Sequence, residues 1–93
     1  MEYNEELLLR IEEYAGLLTT INDMAVLLNI DEDTLRDDIT NKSSVVSLRY
    51  RKAKAATELE LRRQEIELAK LGSPIAIELV QKHKMTQQLS ENG

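Results

Sequence analysis

Apolar residues recur at spacings of three and four near the start of the chain, at Leu7, Leu8, Ile11, Tyr14, Ala15 and Leu18. That period gives a helix one apolar face. Asn4 can cap it, and Glu5 and Glu6 suit the positive end of its dipole, so a first helix is predicted from Asn4 to about Leu18. Ile21, Met24, Ala25 and Leu28 repeat the pattern in a second helix, opened by Thr20 with Asp23 in the glutamate place of a capping box. Asn29 stands where a left-handed residue ends a helix, and Ile30 comes next as the apolar plug of the turn. Asp31 is a natural N-cap for a short third helix, with Leu35 and Ile39 turned inward.

The polar stretch "TNKSS", residues 40–44, breaks the pattern, and Ser44 can cap a fourth helix. From Val45 the chain reads as helix until Leu71. Gly72 then takes the position after the helix end, and Ser73 and Pro74 open a fifth helix as N-cap and first helical residue, running to about Gln88. The predicted fold is all-α. A trihelical helix-turn-helix unit over residues 1–41 precedes a long helix and an antiparallel helical hairpin over 42–89, and residues 90–93 read as a disordered tail.

The fourth helix would be ~40 Å long at 1.5 Å per residue, and a helix that outruns its own domain needs a partner. It carries two stripes. One reads Leu48, Lys52, Ala55, Leu59, Arg62, Ile66, Ala69, and the other Tyr50, Thr57, Leu61, Gln64, Leu68, Leu71. A folded-back fifth helix buries one stripe, so the other is expected to meet a second subunit. Leu48, Tyr50, Ala55, Leu59, Leu61, Ile66 and Leu68 are the expected interface. Lys52 and Arg62 interrupt the first stripe and argue against a simple two-stranded coiled coil.

Composition agrees with helix and narrows the chemistry. The 93 residues include no Trp, no Phe, one Pro and three Gly, so helix contacts must come from aliphatic side chains. With no Cys, disulfides, thiolate metal sites and cysteine catalysis are excluded. No apolar run approaches the ~20 residues of a membrane span. The N-terminus is acidic, unlike a signal peptide, so the expected location is the cytoplasm, that of the host cell if a phage encodes the protein. The net charge of −5 hides a division: residues 1–41 carry eleven acidic and two basic side chains, residues 42–93 six acidic and ten basic. Lys42, Arg49, Arg51, Lys52 and Lys54 fall in one stretch without an acid.

Catalytic material is scarce. His83 is the only histidine and lies beside Lys82 and Lys84, as a solvated surface residue does. The run "DEDTLRDD" lacks the glycine and the twelfth-position glutamate of a calcium loop, and no Gly-rich phosphate loop is present. No enzyme, cofactor or metal site is expected. The helix-turn-helix cadence is the motif with weight: a small residue at Ala25, a turn at Asn29, and apolar contacts from Ile30, Leu35 and Ile39. The exposed positions of its second helix are Glu32, Asp33, Arg36 and Asp37. Since DNA affinity comes largely from neutralised phosphates, one copy of this unit should bind DNA poorly. The bases from Lys42 to Lys54 can compensate. Bases in the first turns of a helix run against the dipole, which favours a phosphate or an acidic partner.

The stretch "RYRKAKAATELELRRQEIELAKLGSPIAIELVQKHK" resembles the small terminase subunits of tailed bacteriophages. The resemblance rests on Tyr50, Lys52, Ala53, Lys54 and Ala55 at the entry of the long helix, and on Ala69, Gly72, Ser73, Pro74 and Ala76 at its end. It implies a non-enzymatic protein that assembles through the hairpin into a homo-oligomer such as a ring. It also implies recognition of packaging DNA through helix-turn-helix units, with base reading carried over to Thr34, Arg36 and their neighbours, and modulation of a large terminase subunit that carries the ATPase and nuclease. Family members usually carry a further C-terminal segment, where only Thr86 to Gly93 stands here. The alternatives are a small dimeric helix-turn-helix transcription regulator of a phage or mobile element, and a protein–protein adaptor without DNA binding.

Overall fold

The computed structural model describes Met1 to Asn92. All regular structure in it is helical: α1 (Glu5–Gly16), α2 (Ile21–Leu28), α3 (Glu32–Thr40), α4 (Val45–Lys70) and α5 (Pro74–Asn92). The five expected caps are all formed. The Asn4 carboxamide accepts from the Leu7 N–H, the Thr20 hydroxyl from Asp23, the Asp31 carboxylate from Thr34, the Ser44 hydroxyl from Ser47 and the Ser73 hydroxyl from Ala76. Each satisfies an amide that has no partner inside its helix.

Three helices end the same way. A residue just past the helix takes a positive φ, and the next N–H reaches back to the carbonyl five residues earlier. Asn29 (φ 58°) does this with Ile30 bonding to Ala25, and Gly72 (φ 91°) with Ser73 bonding to Leu68. At α1 the position is held by Leu18 (φ 58°), with Thr19 bonding to Tyr14. Helix α1 therefore stops at Gly16, short of the expected Leu18. Leu18 is an exposed residue in a backbone conformation that a branched-chain side chain disfavours.

The chain forms two compact units, and the division falls after Thr57, inside α4. The first thirteen residues of α4 belong with the short helices because Val46, Tyr50, Ala53 and Thr57 line one side of it at spacings of four and three. Val46 is buried, Tyr50 and Ala53 pack on the core, and the Thr57 hydroxyl donates to the Gly16 carbonyl at 2.6 Å. The core of this first unit is Leu8, Ile11, Ala15, Met24, Ala25, Leu35, Ile39 and Val46, with Ile30 and Leu28 packed against it.

The second unit, residues 58–93, holds the end of α4 and the whole of α5. The His83 imidazole meets the Glu65 carboxylate at 2.6 Å, so α5 folds back along α4. Only Ala76 is a buried apolar residue here among the described residues. Helix α5 continues to Asn92, through the residues expected to form a tail; Gly93 lies outside the described residues.

Candidate nucleic-acid and assembly surfaces

The outer side of α3 is shaped by its acids. Asp31 takes both the N–H and the hydroxyl of Thr34, at 3.1 Å each. Glu32, one turn before Arg36, takes that guanidinium at 2.8 Å and the Asn22 carboxamide at 3.3 Å. The two residues expected to reach base edges thus have partners on their own helix or its cap. Asp33 and Asp37 are exposed beside them. On the other flank Asp38 accepts a bond from the Tyr3 hydroxyl at 2.7 Å, and burial and that bond push the phenol above its ordinary range.

The basic stretch divides into two kinds of residue. Arg49 bonds Glu12 through Nε at 2.5 Å and Glu5 through Nη1 at 2.6 Å, tying α4 to α1. Its hydrogen bond and charge hold the Glu5 carboxyl below the usual range. Two carboxylates on one guanidinium leave this cluster net negative. Arg49, expected in the basic patch, is thus a clasp of the fold and is not free of carboxylates. The sequence could not show this, because Glu5 and Glu12 lie 44 and 37 residues away. Lys42, Arg51, Lys52 and Lys54 are exposed, and none forms an ion pair among the described residues.

The expected interface residues divide too. Tyr50 is half-buried and packs against the first unit's core, so it serves that core first. Leu48, Ala55, Leu59, Leu61, Ile66 and Leu68 are all exposed. In the second unit Leu59 and Leu61 sit two residues apart, roughly 200° around a helix of 3.6 residues per turn, and Ile66 and Leu68 repeat the relation. Glu65 and Ala69, half-buried, lie between these rows. The α4 segment therefore carries an apolar row on each flank of the side that meets α5. On α5, Ile75 and Ile77 are exposed on different sides in the same way. Sequence reasoning passed over Val26 and Leu27, which are 74% and 54% exposed on α2. An apolar pair outside the helical period was the available signal.

An open concavity at the α2–α3 turn is lined by Asn22, Ala25, Val26, Asn29, Ile30, Asp31 and Glu32, without a nucleophile or a histidine. Among the described residues no cluster of His, Asp and Glu is arranged to hold a metal ion. No described helix is long and apolar enough to cross a membrane. No protein-family model, curated protein or solved structure matches this chain.

Proposed function

We propose that this protein is a non-enzymatic DNA-binding subunit that acts as a homo-oligomer, of the small-terminase kind that recognises packaging DNA and modulates a large terminase subunit. One observation carries the reading. The chain has 17 acidic side chains and a net charge of −5, yet Lys42, Arg51, Lys52 and Lys54 stand exposed without a carboxylate partner. Neighbouring Arg49 has two. Bases left unpaired in an acidic chain fit a partner richer in negative charge than the protein itself, and duplex DNA is such a partner.

The α2–turn–α3 geometry supports a helix-turn-helix that positions the protein on the duplex, while the start of α4 supplies phosphate contacts. The second unit supports self-association, because two helices that bury one alanine and expose Leu59, Leu61, Ile66, Leu68, Ile75 and Ile77 lack a core of their own. Apolar rows on opposite flanks favour a repeating, head-to-tail contact that closes into a ring over the self-complementary contact of a two-fold regulator dimer. Several copies would then add weak DNA sites by effective concentration.

The acidic α3, with Thr34 and Arg36 already bonded, favours a second reading, a protein–protein adaptor. Binding of a fluorescent duplex over a salt series separates the two. Salt-dependent binding supports the DNA reading, and its absence at low salt refutes that reading and leaves the adaptor.

A further inference from the structure

We propose that Ser47 is a positioning residue that fixes the Arg51 guanidinium as a two-pronged phosphate contact at the α3–α4 junction; this rests on the DNA reading above. Ser47 is the one fully buried polar side chain among the described residues, at 0% exposure beside buried Val46. A small apolar residue would fill that place without needing a hydrogen-bond partner. Its Oγ accepts from Arg51 Nε at 3.2 Å, and Arg51 Nη2 donates to the Lys42 carbonyl at 3.3 Å.

These two bonds occupy one edge of the guanidinium. Of its five N–H donors, the pair on Nη1 and the second on Nη2 stay uncommitted, and they form the end edge that grips two phosphate oxygens side by side. Arg51 is exposed, so that edge is accessible. Arg49 offers the contrast, with Nε and Nη1 both on carboxylates. Lys42, Lys52 and Lys54 supply charge without a fixed direction, since none of their ammonium groups is hydrogen-bonded among the described residues. An arginine held by its inner edge has already lost its rotamer freedom before DNA arrives, whereas a lysine must lose it on binding.

The test compares wild type with Ser47→Ala, Ser47→Thr, Arg51→Lys and Lys52→Ala on one labelled duplex over a salt series. It also tracks the Arg51 Nε–H signal by NMR without DNA. The expected result is a slowly exchanging Arg51 Nε–H that is lost in Ser47→Ala and kept in Ser47→Thr. Arg51→Lys and Ser47→Ala should each weaken binding about tenfold, the worth of a charge-assisted hydrogen bond. Arg51→Lys keeps its charge, so its salt slope should stay near that of wild type, whereas Lys52→Ala should lose about 0.9 of slope. Ser47→Thr should restore affinity. A fast-exchanging Nε–H, or Arg51→Lys binding as tightly as wild type, overturns the positioning role while salt-dependent wild-type binding leaves the DNA reading intact. No wild-type binding at low salt overturns both. If Ser47→Ala fails to fold, Arg51→Lys, which leaves the buried serine in place, still decides.

Discussion

Replacing Arg51, Lys52 and Lys54 together by Ala removes three of the four bases in the 42–54 stretch that stand without an acid partner among the described residues. Each phosphate neutralised on B-form DNA contributes about 0.9 to the slope of log affinity against log salt. If all four bases make contact, the slope is ~3.6 per protomer, and raising salt from about 50 to 200 mM weakens binding ~150-fold. The triple variant retains Lys42, for a slope of ~0.9 and a loss of only ~3.5-fold over the same range. Fluorescence anisotropy with a short labelled duplex reads both slopes. Arg49→Met is the internal control. Its guanidinium is committed to Glu5 and Glu12, so the slope should stay while thermal stability falls. The reasoning is refuted if the triple variant keeps the wild-type slope, or if Arg49→Met loses as much slope as the triple variant.

Three further outcomes concern the first unit. Leu35 is fully buried between α3 and the rest of the core, so Leu35→Ala should cost about 2–5 kcal/mol in urea unfolding, enough to threaten so small a unit. Glu5 is held below its ordinary value of 4.5 by Arg49 in the folded state. A depressed folded pKa stabilises fully above the ordinary value and loses that contribution as pH falls through the depressed one. Glu5→Gln should therefore flatten the acid limb of a melting-temperature profile taken between about pH 6 and pH 2, and an unchanged limb contradicts the assignment. Leu18 holds a left-handed backbone position that Asn tolerates better, so Leu18→Asn should raise stability by about 0.5–1 kcal/mol in thermal melts.

Local signals carried the element pattern, because the determinants of helix ends lie within a few residues of one another. Asn4, Thr20, Asp31, Ser44 and Ser73 act as caps, and Asn29 and Gly72 as left-handed ends. Leu18 escaped because nothing in a leucine marks a left-handed residue; the structure forces it there. The division inside α4 was not legible because the row Val46, Tyr50, Ala53, Thr57 mixes one strong apolar residue with small and polar ones. Read alone, Tyr50 and Thr57 looked like the start of an outer stripe. The patch was only half legible: a run of bases is visible in sequence, but which of them meets an acid depends on α1 lying against α4. The bonds that hold Thr34 and Arg36 were within reach, since Asp31 and Glu32 lie three and four residues earlier on the same helix side.

The most direct test is the native mass at moderate salt of wild type beside Leu61→Lys with Leu68→Lys. A chain of 10.6 kDa whose second unit buries one alanine should run as a closed oligomer well above a dimer. The double variant should fall to smaller species while the NMR signals of α1–α3 persist. A wild-type monomer, or a double variant of unchanged mass, would contradict assembly through this hairpin.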